Sequence, residues 1–325
     1  MGKQEYYLGG DVEEVEVDGK KAWVLSAKTY LKNVCDKIER LYEVKLRNYG
    51  SPLEAGYHPE TDETPLLSPN EVTKYRMLIG CAQWAVTLGR YDVMFAVSTM
   101  ARYSAAPREG HLKTMLRAFG CLKHCCRGRI VFDTREPEHK NVEKLEHNWE
   151  ELYPNASEEM PPNMPEPKGN AVHIDTWFDA DHAHDLETRR SVTGVLVFLN
   201  STPVKWYSKR QNTVESSTYG SELMAARIAT DLTVEMRYKM RMLGAPIAGP
   251  TMMFGDNQSV MINTSLPSST LKKKKCSIAY HRVREAVAAG IIEPHHIPGI
   301  ENVSDILTKA LGPQVVYRLC KGRLF

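Results

Sequence analysis

The chain has 325 residues, and its 42 Lys and Arg against 40 Asp and Glu leave a formal net charge of only +2. With 42% hydrophobic and 25% charged residues it has the composition of a globular protein with a real core, and its length suits about two domains. So even a balance excludes bulk electrostatics as a route to nucleic acid, leaving local basic patches to supply any such affinity.

In chain order, YYLGGDVEEVEVDGKKAWVLS (residues 6–26) alternates about Asp18-Gly19 and predicts a β-hairpin. KTYLKNVCDKIERLY carries apolar residues at helical spacing, and the Gly, Pro, Asp and Ser of residues 50–70 read as a loop. A helical stretch follows from about 71 to 127. Its first helix opens on the start signals Ser68 and Pro69, its second ends at Pro107, and its third, GHLKTMLRAFGCLKHCC, precedes a short strand RIVFDT.

Residues 134–170 turn acidic and Pro-rich and are expected to be an inter-domain linker, with a short amphipathic helix in NVEKLEHNWEELY. Beyond it, AVHIDTWFDA, SVTGVLVFLN and TPVKWYSKRQ predict three successive strands. A long helix over STYGSELMAARIATDLTVEMRYKMRML stops at Gly244. TMMFGDN is a fourth strand, DNQSVMINTS and SIAYHRVREAVAAG are helices, IIEPHHIP a fifth strand, and NVSDILTKAL a terminal helix. This succession predicts an α/β fold with a mixed five-stranded sheet flanked by helices.

Seven Cys without regular spacing or an apparent secretory signal favour a reducing compartment, and no apolar run is long enough to span a bilayer. An intracellular protein is expected, cytoplasmic in a particle or nuclear. Cys121, His124, Cys125 and Cys126 are the metal-like cluster of the first half, but their spacing fits no zinc signature and packing thiols are the default.

Four acids stand at compatible element ends: Asp179 and Asp256 at the ends of the first and fourth strands, Glu222 and Asp305 in the first turns of two helices. A lone acid in such a place is often a cap or a solvated residue. Four that converge need a divalent cation to offset their repulsion, the usual equipment for cutting a phosphodiester.

The phrases carrying these acids, DADHAHD, RRSVTG, WYSKRQNTVESST, DNQS, YHRVRE and SDILTKAL, resemble in order the ribonuclease H domain of copia-type retrotransposon polyproteins over residues 171–312. The resemblance implies a ribonuclease H-like sheet. It also implies a metal-dependent endonuclease hydrolysing the RNA strand of RNA–DNA hybrids, with Asp179, Glu222, Asp256 and Asp305 both catalytic and metal-binding. Two Mg²⁺ ions, or Mn²⁺, would be the cofactors, and the products a 5′-phosphate and a 3′-hydroxyl. STYGSE is longer by one residue than the commoner family phrase, so Glu215 stands as the alternative to Glu222. Asp181 is given a structural or solvated role. His295 or His296 stands as a proton shuttle against a structural reading, since GIENVS holds no His.

Residues 6–133 resemble the end of the copia-type reverse transcriptase, its palm end and mainly helical thumb and connection, and an apolar patch is expected to be exposed on residues 1–130. The Tyr-x-Asp-Asp polymerase signature is absent from the chain, so DNA synthesis by this chain alone is not expected. The expected organisation is thus 1–133 partial reverse transcriptase, 134–170 linker, 171–312 nuclease and 313–325 tail. The palm and fingers of the polyprotein are expected partners besides the hybrid, and no membrane is.

Lys209, Arg210, Gln211 and the run Lys272, Lys273, Lys274 and Lys275 are expected to bind nucleic acid. Arg102, Arg108, Lys113, Arg117 and Lys123 form a further candidate track along the helices of the first half. The competing function is a non-catalytic nucleic-acid-binding remnant of such a polyprotein. An integrase-like nuclease is disfavoured, because Glu would then stand last among the acids rather than second.

Overall fold

A computed structural model describes residues 5–17, 19–139, 147–271 and 274–324. Asp18, Lys272, Lys273 and residues 140–146 of the expected amphipathic helix lie outside the described residues. The chain divides into two compact units: Met1–Asp133 with Asp185–Glu187 and Ile306–Phe325, and Thr134–His184 with Thr188–Asp305.

In the first unit, β1 (Tyr6–Tyr7), β2 (Gly10–Val17), β3 (Lys20–Ser26) and β4 (Arg129–Phe132) form an antiparallel sheet in that order. Val17 pairs with Lys20, so the turn is two residues long, and Gly19 takes the positive φ of 75° that such a turn favours. Trp23 and Phe132 pair across β3 and β4, each 42% exposed. The helices are α1 (Lys28–Tyr42), α2 (Pro69–Thr87), α3 (Met94–Ala101) and α4 (Glu109–His124). Ser68 and Glu71 close a capping box ahead of α2, with Pro69 in its first turn. Tyr75, Leu78, Met100, Met115 and Phe119 fill the core, and the Tyr75 hydroxyl donates to the Met100 carbonyl at 2.8 Å.

The second unit holds β5 (Ile174–Asp181), β6 (Val192–Leu199), β7 (Thr202–Arg210), α5 (Thr218–Met242), β8 (Thr251–Gly255), α6 (Gln258–Ser265), α7 (Ser277–Ala288) and β9 (Ile292–His296). The sheet runs β7-β6-β5-β8-β9, antiparallel through β5, β6 and β7 and parallel from β5 to β8 and β9. This is the expected mixed five-stranded sheet flanked by helices. Phe178, Val195, Val197 and Met253 of the sheet share its core with Leu223, Ala226, Ala229 and Val283 of α5 and α7. Small alanines on the inner stripe of α5 let that helix lie close to the sheet.

Three expectations change. Residues 134–170 count with the second unit rather than standing apart as a linker, because Glu158 forms ion pairs with Arg237 and Arg241 of α5. The stretch 302–311 is no α-helix but a 3₁₀ turn at Val303–Leu307. The Asn302 side chain there accepts from the Ser304 N–H and hydroxyl, in competition with a regular helical start. Within the expected tail, residues 313–324 are structured. They form α8 (Pro313–Cys320) in the first unit, with Val316, Leu319 and Cys320 buried along one helical stripe.

Candidate metal centre

The central strand β5 aims Asp179 at the site, and the parallel pairing supplies its neighbour. Trp177 pairs with Phe254, so two residues further along each strand Asp179 comes level with Asp256, on the same face as those aromatics. Gly255 makes the approach possible, since a Cβ there would meet the Phe178 ring at 2.5 Å. The start of α5 brings in Glu222, with Ser217 capping the helix through the Gly220 N–H.

Asp179, Glu222 and Asp256 each offer an oxygen within 4.8 Å of the others. Asp179 is 1% exposed and Glu222 4%, and Asp256 is half-buried. At an effective dielectric of about 20, two charges at that spacing repel by roughly 3–4 kcal/mol. An all-oxygen donor set suits a hard cation such as Mg²⁺, whose ligands at about 2.1 Å lie within roughly 4 Å of one another. The residues therefore fit a shared divalent ion with little closing of the cluster. Among the described residues this is the one cluster of its kind; Cys121, His124, Cys125 and Cys126 do not form another.

The two glutamates differ in where each points. Glu222 joins the cluster, whereas Glu215 folds back over the start of α5, against Gly220, and pairs with Lys275 at 3.0 Å. Asp305 is not in the set of three. It lies half-buried in the 3₁₀ turn, and Asn302 ties that turn to the site by donating to the Phe178 carbonyl at 2.9 Å, next to Asp179. Asp181 pairs with His184, in keeping with a structural role.

The structure also separates the two histidines. His295 is buried and faces Glu293 at 3.3 Å, and desolvation holds its pKa below the ordinary value. His296 is exposed, and its Nε2–H donates to the Asp256 carbonyl at 3.1 Å. Gly299 lies on the other side, where a Cβ would stand 3.1 Å from the Asp256 carboxylate.

The basic residues divide in the same manner. Lys209 and Lys274 are exposed and Arg210 half-buried, while Lys275 is partnered by Glu215. Gln211 corrects the expectation of a nucleic-acid contact. It is 4% exposed, and its amide donates to the Thr193 hydroxyl at 3.0 Å and the Ser221 carbonyl at 2.9 Å. Those bonds pin the residue before Glu222 to β6, so Gln211 positions the site rather than touching a ligand. Arg102, Arg117 and Lys123 are likewise drawn into ion pairs with Asp185, Glu54 and Glu39, which leaves the candidate track of the first unit largely neutralised.

Three supporting side chains escaped the reading of the sequence. His182 lies 3.2 Å from the Ser221 hydroxyl, which donates to the Thr218 carbonyl, and Asn302 bridges to β5. Only Asn302 left a readable signal, in that Asn-Val-Ser is the composition of a side-chain-closed turn.

No family model matches the chain. Among curated proteins it is similar to the Retrovirus-related Pol polyprotein from transposon RE1 of Arabidopsis thaliana, 25% identical over 74% of this chain and 14% of that protein. It is also similar to the Retrovirus-related Pol polyprotein from transposon TNT 1-94 of Nicotiana tabacum, 23% identical over 99% of this chain and 21% of that protein. The chain thus spans between about a seventh and a fifth of the length of these relatives. Among solved structures, the N-terminal RNase H domain of a Mycobacterium tuberculosis protein aligns with a TM-score of 0.34 at 14% identity, covering 46% of this chain and 98% of that one.

Proposed function

We propose that the second unit of this chain, which is similar to retrovirus-related Pol polyproteins of plant transposons, is a metal-dependent endonuclease cutting the RNA strand of RNA–DNA hybrids. The observation that carries the reading is the convergence of Asp179, Glu222 and Asp256, from two strand ends and a helix start, on a ribonuclease H-like sheet.

Asp179, Glu222 and Asp256 would hold Mg²⁺ or Mn²⁺, with Asp305 as the fourth carboxylate. Bound there, a pair of divalent cations supplies Lewis acidity to the scissile phosphate and an activated water. The chain's own residues do the rest. The sheet and the start of α5 hold the carboxylates in place before substrate arrives, so little reorganisation remains for the reaction. Lys209, Arg210 and Lys274, joined by Lys272 and Lys273 of the same run, would supply positive charge to the phosphate backbone, while Lys275 is engaged by Glu215. Selection of RNA over DNA rests on 2′-hydroxyl contacts and the shape of the hybrid rather than base sequence. The remainder of a Pol polyprotein would supply the polymerase palm and fingers, and the setting would be a cytoplasmic particle or the nucleus.

The test is cleavage of a labelled RNA–DNA hybrid. The wild-type chain should cut the RNA strand in Mg²⁺ and not in EDTA, and Asp179→Asn should lose at least about 100-fold in rate, a loss of several kcal/mol of charge stabilisation. Equal hybrid binding by wild type and variant, with cutting by neither, would instead establish a non-catalytic remnant.

A further inference from the structure

The loop that leaves β5 sets a histidine between the strand that carries Asp179 and the helix that carries Glu222. His182 stands three residues beyond Asp179, and its Nδ1 lies 3.2 Å from the hydroxyl of Ser221, the residue before Glu222. The loop is fixed just past the histidine. Ala183 takes a left-handed φ of 52°, its N–H donates to the Ser191 hydroxyl at 3.0 Å, and His184 meets the Asp181 carboxylate at 2.6 Å. An alanine holds such a backbone only where its surroundings impose it.

These bonds decide which ring nitrogen carries the proton. The Ser221 hydroxyl has one hydrogen and donates it to the Thr218 carbonyl at 2.9 Å, so toward His182 its oxygen can only accept. Nδ1 therefore holds the hydrogen, and in the neutral ring Nε2 is a bare acceptor. Nε2 lies on the side of the ring away from Ser221, and it has no hydrogen-bond partner among the described residues. His182 is half-buried, and Nε2 stays open to solvent.

A bare acceptor suits very little of a nucleic-acid backbone. Phosphate and sugar-ring oxygens accept hydrogen bonds and do not donate them. Mg²⁺ prefers oxygen ligands, and the carboxylate cluster does not include His182. The 2′-hydroxyl of ribose is the backbone group that donates, and DNA lacks it. Resting on the nuclease reading of this site, we propose that His182 is a specificity-determining residue. Its Nε2 accepts a hydrogen bond from a single 2′-hydroxyl of the RNA strand near the scissile phosphate. Ser221 is the positioning residue, which fixes the tautomer that makes Nε2 an acceptor.

Equilibrium binding of labelled duplexes to the full chain, in EDTA at about pH 8, tests the assignment. The duplexes are an RNA–DNA hybrid, the same hybrid with one 2′-deoxynucleotide walked along the RNA strand, and an all-DNA duplex. For the wild type, removing the hydroxyl at one position should weaken binding about three- to tenfold, the worth of one neutral hydrogen bond. His182→Asn keeps an amide donor where Nδ1 stands and has no atom in the place of Nε2. It should bind the unmodified hybrid more weakly by the same factor and lose nothing further at that position. Its affinity for the DNA duplex and its urea midpoint should match the wild type. His182→Gln, whose amide oxygen reaches as far as Nε2, should recover part of the hybrid affinity. An equal 2′-deoxy penalty in wild type and His182→Asn, or no position-specific penalty in the wild type, would overturn the proposal even in a chain that cuts RNA. A penalty abolished by His182→Asn in a chain that cuts nothing would uphold the 2′-hydroxyl contact and overturn the nuclease reading instead.

Discussion

Glu215 and Glu222 flank the start of α5, and their surroundings assign them opposite duties. Glu222 shares its space with two aspartates, where a divalent cation would relieve the repulsion of a third negative charge. Glu215 already has its cation in Lys275. Glu222→Gln keeps the volume and removes the charge, so hybrid cleavage should fall by about 100-fold or more while the fold is kept. Glu215→Gln should leave cleavage within about twofold and reduce stability by no more than about 1 kcal/mol, as for other partly exposed ion pairs. Initial cleavage rates and urea midpoints for the two variants decide the matter, and a reversed pattern would transfer the catalytic role to Glu215. Resemblance alone left these glutamates open because a register in sequence does not say which way a side chain leaves a helix start. Gln211 misled for a related reason. The residue type suits a nucleic-acid contact, yet it directly follows β7 with its side chain turned inward, where the Thr193 hydroxyl and Ser221 carbonyl wait for its amide.

At the scale of elements, the site depends on how firmly each segment is tied to β5 and α5. Asn302 is fully buried, and its Nδ2 is the donor for the Phe178 carbonyl. Asn302→Asp replaces that donor with an acceptor and leaves the carbonyl unsatisfied, which should cost about 2–3 kcal/mol. If the tether also sets Asp305, the Mg²⁺ concentration for half-maximal cleavage should rise severalfold. Loss of stability with an unchanged Mg²⁺ requirement would confine Asn302 to the fold. At the other end of α5, Glu158 resists the desolvation that would raise its pKa, because hydrogen bonds and charges from Arg237 and Arg241 hold it below the usual carboxylate value. The sign follows from linkage: a depressed folded-state pKa gives stability that is complete above the unfolded value of about 4.5 and is lost as pH falls through the folded value. Glu158→Gln should therefore cost about 3 kcal/mol at pH 7 and flatten the loss of stability below pH 4.5, read from urea unfolding across pH. The strands and long helix of this unit were legible because alternation and helical spacing report burial directly. The docking of Glu158 was not, since an acidic Pro-rich stretch looks solvated until its arginines are brought to it by the fold.

At the scale of the whole chain, two compact units with separate cores should not melt as one, and only one of them contains the carboxylate cluster. A cation that binds the folded second unit and not its unfolded form stabilises it by about 2.7 kcal/mol at a concentration 100 times Kd. For a unit of this size that corresponds to a shift of roughly 5–10 °C. Calorimetry in EDTA and then in Mg²⁺ should therefore show two transitions, of which one moves upward and the other stays. Asp256→Asn sharpens the expectation, because it removes one repelling charge along with one ligand. The variant's responsive transition should start higher in EDTA than that of the wild type, then gain little from Mg²⁺. The trade follows from the cluster itself: three carboxylates within 4.8 Å repel one another, and a cation bound among them would offset that repulsion. If both transitions shift together, or the Asp256→Asn chain gains as much from Mg²⁺ as the wild type, the three acids are not the cation site.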